Sequence, residues 1–324
     1  MLRRTIIGLT TVAAVSIAMG AAVAQNYPDK PITLIVAFPP GGSTDIGARL
    51  IASIAEKSIG QQIVVLNKAG AGGQIGWTDL SRAKADGYTI GYINLPATHT
   101  VHLDSERKAI FNGDSFIPVI NQVLDPGIAW VRADSPYKSF KDLVEAAKKD
   151  PNTVRAATTG ILSDDHLAIL MTEEAAPGAK FRIVHLDGGA TQLKEILGGN
   201  IDVAFDNVGS IVKQVQAGQV RALAVFDKDR SRFLPDTPTT VEAGYPTIIS
   251  SSTRGIGVPK GTSESVIAKL RENFERAVAD ADHVKKLTEQ GLAIKIMVGA
   301  EYAQYYKDNL AQSKKYTEWA KSRQ

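Results

Sequence analysis

Short apolar strands alternate with helical segments along almost the whole chain, and no other feature narrows the fold as far. The strands read "ITLIVAF" (32–38), "QIVVLN" (62–67), "TIGYIN" (89–94), "FIPVINQV" (116–123), "IAWVRA" (128–133), "VRAATT" (154–159), "FRIVHL" (181–186), "IDVAF" (201–205) and "VRALAVF" (220–226). Helical stretches such as "SFKDLVEAAKK" and "TQLKEILGG" lie between many of them. Such alternation argues for an α/β protein with parallel, helix-covered sheets. Around Asp125-Pro126-Gly127 two strands follow one another with no helix between, which suits a crossover from one sheet to a second. Another break is the Pro/Gly/Ser-rich stretch 235–261. Two amphipathic helices close the chain, one lined by Val266, Leu270, Phe274 and Val278, the other by Tyr302, Tyr306, Leu310 and Ser313.

The first 24 residues point to export. Arg3 and Arg4 precede an apolar segment that ends at Ala22-Val23-Ala24, the pattern of a signal peptide cleaved after Ala24. The rest of the 324-residue chain then carries 35 basic and 34 acidic residues, a balance that gives no footprint for nucleic acid or an anionic membrane. There is no cysteine, so thiol catalysis, thiolate metal sites and disulfides are excluded, and the cores alone must hold an exported protein. The expected address is the periplasm.

In open parallel sheets ligands bind beyond the carboxyl ends of the strands. Six loops stand there: "FPPGGST" (38–44), "NKAGAGGQIG" (67–76), "NLPATHT" (94–100), "TTGILSDDH" (158–166), "LDGGATQ" (186–192) and "DNVGS" (206–210). Glycine beside Ser or Thr lets backbone N–H groups approach a ligand, and several of these loops run into helix N-termini, where anions bind well. Complete catalytic motifs are missing. "PPGGSTD" has no lysine ahead of Ser43-Thr44 to reach a phosphate, and no G-x-S-x-G elbow exists. "GAGGQIG" has a dinucleotide-like spacing, but the next strand ends on Ile93-Asn94 with no acid for a ribose. His99, His102 and Asp104 lack a third strong metal ligand and read as a solvated loop; His185 reads as structural. No cofactor or metal is expected, and binding is favoured over catalysis.

The segments "PDKPITLIVAFPPGGSTDIGARL", "NKAGAGGQIG", "ADGYTI", "LGGNIDVAFDN", "PDTPTTVEAGYP" and "GVPKGT" occur in an order that resembles the Bug-type solute-binding proteins of tripartite tricarboxylate transporters. The resemblance runs from about Tyr27 to the C-terminus. It implies a "Venus flytrap": two doubly wound α/β domains joined by crossover strands around a central cleft. Domain one would comprise 25–124 and the returning 251–324, and domain two 125–250. It also implies a small carboxylate as ligand, a small and a large membrane subunit as partners, and a monomer. Carried over by position, the ligand-binding loops fall on Phe38, Pro39, Pro40, Gly41, Gly42, Ser43, Thr44 and Asp45, and on Ala71, Gly72 and Gly73. In the second domain they fall on Thr158, Thr159, Gly160, Ser163 and His166, on Gly188, Gly189 and Ala190, and on Asp206.

Two departures bear on the ligand. "GILSDDHL" has Leu162 where the relatives carry glycine and adds Asp164 and Asp165, while "HLDGG" has Asp187 in place of a lysine. A cation is lost and acids are gained, which disfavours a highly charged anion. Asp45 is expected to bind its own helix or neighbouring backbone. Arg254 is the nearby cation, suited either to a ligand carboxylate or to an ion pair at the hinge. The favoured ligand is a dicarboxylate, or an aromatic or long-chain carboxylic acid. The competing readings are a secreted hydrolase acting through Ser163 or His166, and an amino-acid or sensor-coupled binding protein on the same fold.

Overall fold

The computed structural model describes residues 27–323; the proposed signal peptide lies outside them. Two sheets share one strand. In the first, β1 (Ile32–Val36) pairs in parallel with β2 (Ile63–Asn67) and β3 (Thr89–Leu95). Antiparallel β9 (Ser251–Pro259), β4 (Phe116–Arg132) and β10 (Ile294–Val298) extend it in the order β2-β1-β3-β9-β4-β10. In the second, β5 (Arg155–Thr158) pairs in parallel with β6 (Arg182–His185) and β7 (Val203–Asn207). The far half of β4 lies antiparallel between β7 and β8 (Val220–Val225), giving β6-β5-β7-β4-β8.

Two expectations change here. The sheets are mixed, because a strand that leaves one sheet to continue in the other cannot be supplied by a right-handed crossover helix. The break at Asp125-Pro126-Gly127 is no break in the strand: β4 runs through it, and only its partners switch, from Ser251 opposite Pro126 to Asn207 opposite Gly127. The return crossing is made by β9, entered from Ser250.

Beyond Gly127 the alternation of β4 sorts its side chains to opposite faces. Ala129 and Val131 join Phe140, Leu143 and Val144 of α4 (Phe140–Lys149) in one core, and Ile128 and Trp130 join Ile196 of α6 (Gly189–Leu197) in another. Helices thus cover both faces of this sheet. In the first lobe α1 (Ser43–Ile59) packs with α8 (Glu264–Ala279), whose Val266, Leu270, Phe274 and Val278 are all buried with Ile51 and Ile54. The last helix, α10 (Gly299–Lys321), buries Tyr302, Tyr306 and Ser313 as expected, while Leu310 is only half-buried. Helix α9 (Ala281–Glu289) and strand β10 precede it, elements that the sequence pattern did not reveal.

The crossing strands are close-packed at backbone level. A Cβ on Gly255 would lie 2.4 Å from the Ile120 carbonyl oxygen and 2.8 Å from Asn121 Cα. Gly255→Val is therefore expected to cost about 2–3 kcal/mol by overpacking, read as a lower urea midpoint at unchanged slope.

Candidate functional site: an interlobe cleft

The opening proline–glycine stretch becomes a rigid turn. Gly41 takes φ +85°, and Gly42 caps α1 without any side-chain hydrogen bond. The turn is tied from inside: Asp45 Oδ2 accepts the Gly41 N–H at 3.0 Å, Asn67 Nδ2 donates to Asp45 Oδ1 and to the Phe38 carbonyl at 2.9 Å each, and Arg49 Nε donates to Asp45 at 2.9 Å. Burial works against the Asp45 charge, but Arg49, the Gly41 N–H and Asn67 hold its carboxyl below the ordinary range. Asp45 thus serves its own loop and leaves the α1 N-terminus open.

Helix α6 faces it from the other lobe. Gly188 takes φ +94° before the helix, and the N–H groups of Thr191 and Gln192 return to the Gly188 carbonyl. The first N–H groups of a helix have no partner inside it, so those of Gly189 and Ala190 are left to point outward. The two helix ends nearly meet: a Cβ on Gly42 would be 3.9 Å from Ala190 N, and Ser43 Oγ lies 3.0 Å from Ser210 Oγ. The third helix terminus, of α5 (Asp164–Ala175), is filled by its own residues. Ser163 Oγ accepts the His166 N–H at 3.2 Å, Asp165 takes the N–H and hydroxyl of Thr159, and Asp164 Oδ2 accepts from Asn207 Nδ2 at 2.7 Å.

Between these ends lies a cavity of about 30 Å³, about two to three times what one water needs. A second chamber of about 150 Å³ shares Gly42, Ser43, Gly189, Ala190 and Ser210 with it and continues past Gly41 to Lys213 and Gln290. On the inner wall Arg254, only 2% exposed, donates Nη1 to Asp125 at 2.7 Å and Nη2 to Asn207 Oδ1 at 2.8 Å. Of the two roles open to Arg254, the hinge ion pair is the one formed. Asp206 Oδ1 accepts from Asn207 N and Ser210 Oγ, whereas the buried Asp206 Oδ2 and Asn94 Oδ1 have no partner among the described residues. Burial pushes the Asp206 carboxyl up to about 7, with nearby Asp125 adding to the rise and its hydrogen bonds and Arg254 opposing it.

Of the residues carried over by resemblance, Phe38, Pro39, Gly42, Ser43, Thr44, Thr159, Gly188, Gly189, Ala190 and Asp206 line the inner cavity, as does Arg254, singled out separately as the nearby cation, and Gly41 lines the outer chamber. Pro40 and Ala71 are exposed, and Asp45, Gly73, Thr158 and Ser163 are buried outside the lining. Gly72 meets Gly160 across the lobe seam, where a Cβ on Gly160 would lie 3.1 Å from Gly72 Cα. His166 accepts the Leu162 N–H on Nδ1 and packs edge-on against His185, 4.8 Å between ring centres; burial drives its imidazole down to about 3. Asn94, Ala97, Asp164, Asn207, Ser210 and Ser252 line the cavity although none was carried over. All but Ser252 sit in the strand-end loops read from the sequence. His99 and His102 are not in a solvated loop: they lie on helix α3 (Ala97–Leu103), with His99 buried against the Tyr306 carbonyl. Among the described residues no three His, Cys, Asp or Glu side chains are grouped to hold a metal ion.

Two α/β lobes, a pair of crossing strands and a cleft rimmed by helix N-termini define a solute-binding receptor of the flytrap class. The chain belongs to the tripartite tricarboxylate transporter family receptors, whose family model matches residues 47–320. The periplasmic binding protein BugD superposes with a TM-score of 0.84 at 29% identity, over 91% of this chain and 98% of BugD. MatC from Rhodopseudomonas palustris, with malate bound, gives 0.82 at 25% over 90% and 100%. A second R. palustris protein, with adipate bound, gives 0.84 at 26% over 90% and 97%.

Proposed function

We propose that the chain is a periplasmic receptor whose lobes, divided near residues 124/125 and 250/251, close as a monomer on a small carboxylate and hand it to the small and large membrane subunits of a tripartite transporter. The observation that carries this reading is the convergence of two uncapped helix N-termini, one from each lobe, on a single cavity. Each offers free N–H donors and the positive end of a helix dipole, so one carboxylate between them bonds both lobes and favours the closed state. The ligands of the malate- and adipate-bound relatives have the same chemistry. Ser163 and His166 give no support to a hydrolase, since the hydroxyl accepts a backbone N–H and the imidazole accepts another.

The small inner cavity favours a short dicarboxylate, with one carboxylate inside and the other toward Lys213. A second reading has its own observation: the unpartnered acceptors Asn94 Oδ1 and Asp206 Oδ2 suit a carboxylate that also carries a hydroxyl or ammonium donor.

The pH dependence separates the two. The Asp206 carboxyl titrates near 7 in the folded protein, above its unfolded value of 3.8, so folding favours the protonated form, and that contribution is lost as pH rises through 7. A dicarboxylate should bind more tightly as pH falls from 8 to 7, by up to about tenfold per unit, and level off below 6. Asp206→Asn should flatten this slope, and a ligand that brings an ammonium to Asp206 should show the opposite slope. Calorimetric titration of succinate, malate and aspartate at pH 6, 7 and 8 is the test. Absence of binding by all carboxylates tried would overturn the receptor assignment.

A further inference from the structure

A chamber of about 340 Å³, larger than either chamber of the cleft, lies on the other side of Asp164. Small-molecule sites run from roughly 300 to 1,000 Å³, so it has the room of one. Three parts of the fold meet on it: Met171 of α5 and Lys228 from the second lobe, Tyr305 and Tyr316 of α10 from the first, and the crossing segment at Ser250-Ser251. The wall toward the cleft is firmly held. Asp164 alone borders both spaces; its carboxylate accepts from Asn207 Nδ2 at 2.7 Å, and its carbonyl accepts the Ser250 hydroxyl at 2.9 Å. Neighbouring residues divide between the two sides, Pro96 and Ser251 lining the chamber, Ala97 and Ser252 the cleft.

The lining has a definite chemistry. Met171, Tyr305 and Tyr316 are each only half-buried, so the chamber is where their apolar surface remains available. A thioether and two phenol rings favour an aromatic guest, through sulfur–ring and edge-to-face contacts. Lys228 is exposed at the rim and makes no ion pair among the described residues. The Asp164 carboxylate is already taken by Asn207, so the charge on offer to a guest is the ammonium of Lys228.

We propose that this chamber is a second small-molecule site, for an aromatic monocarboxylate, and that its occupant tightens carboxylate binding in the cleft. The ring lies between Met171 and the two tyrosines, and the carboxylate faces Lys228. The coupling rests on the receptor reading. Because both lobes supply the walls, the site is complete only when the lobes meet, and in the empty protein only that fraction of molecules can take the aromatic acid. A cleft ligand draws the lobes together and so assembles the chamber. By linkage the aromatic acid raises the affinity of the cleft ligand by the same factor.

Calorimetric titration of benzoate into the full mature chain is the test. Into wild type alone it should bind weakly. With malate or adipate saturating the cleft its affinity should rise about tenfold, and benzoate should tighten the dicarboxylate by an equal factor. A covalent lock removes the need for a cleft ligand. The chain has no cysteine, and Ser43 Oγ lies 3.0 Å from Ser210 Oγ across the lobes, so Ser43→Cys with Ser210→Cys should form one disulfide that holds the lobes together. The oxidised lock should bind benzoate about tenfold more tightly than the same protein reduced. In that background Lys228→Met should weaken benzoate about fivefold, the worth of an exposed charge pair, and Lys228→Glu should prefer benzylamine to benzoate. Benzoate that competes with the dicarboxylate, or an oxidised lock that binds it no better than the reduced protein, would overturn the proposal. If wild type binds neither malate nor adipate, the carboxylate reading fails, and the lock still decides the chamber.

Discussion

Gly189→Val is expected to weaken carboxylate binding by roughly a hundredfold, about 2.7 kcal/mol, while the protein still folds. The position is helical, so the backbone accepts a side chain, but the space does not. A Cβ there would lie 2.8 Å from Asp206 Oδ2 and 3.1 Å from Ser210 Oγ. Either Asp206 moves off its bonds to Asn207 and Ser210, or α6 backs away from α1. Both separate the two helix N-termini that must grip the same carboxylate, at a cost within the overpacking range of about 1–3 kcal/mol. Gly42→Ala is the contrast. With φ at −81° and only Ala190 N within 4 Å of the new Cβ, it should fold normally and bind within tenfold of wild type. Titration calorimetry with the wild-type ligand checks both. Equal losses for the two variants would mean that the cleft is not pinched at Gly189.

Arg254→Met should produce the largest loss of stability of any single change in the cleft, about 3–5 kcal/mol, because it removes one partner of a fully buried pair. Asp125 is wholly buried, and with the guanidinium gone it keeps only the Gly209 N–H at 3.0 Å. Asn207 also loses the donor to its Oδ1, so the wall bearing Asp164 and Asp206 loses its order. The four buried acids Asp125, Asp164, Asp165 and Asp206 would then be left without this guanidinium, and the carboxyls would be driven toward the protonated form. Arg254→Met combined with Asp125→Leu should recover much of the loss, since removing both charges leaves no unpaired ion. Denaturant melts of the two single variants and the double variant form the cycle. A single variant as stable as the double would show that the pair contributes nothing at the crossing.

Much of this was legible in the chain because the relevant signals are local. Strand–helix alternation located eight of the ten strands as apolar runs at or near their observed positions, and the strand-end rule picked out the loops of the cleft. The misreadings arose where a residue's environment is set by distant chain. Asp125-Pro126-Gly127 looks like a turn, yet Pro126 sits in a continuous strand where its missing N–H coincides with the change of partners. "ATHTVHL" looks polar enough for solvent, but Tyr306, some two hundred residues later, buries it. Residues 294–298 are a short run that becomes strand only by pairing with β4. The acid cluster was only partly visible: Asp164 and Asp165 are adjacent in sequence, whereas Asp125 and Asp206 join them from two other strands. Arg254 shows the same principle, since its choice between ligand and ion pair depends on an aspartate 129 residues away.

The most direct test of the central claim is a thermal-shift panel on the protein from Gln25 onward, with C4–C6 dicarboxylates, hydroxy acids, amino acids, aromatic acids, simple amines and sugars. A ligand at about a hundred times its dissociation constant adds roughly 2.7 kcal/mol to a receptor that binds it only when folded, a rise of several degrees. The expected result is such a rise confined to one class of carboxylate, lost in Gly189→Val. A rise with an amine or sugar that has no carboxylate, and none with any acid, would contradict it.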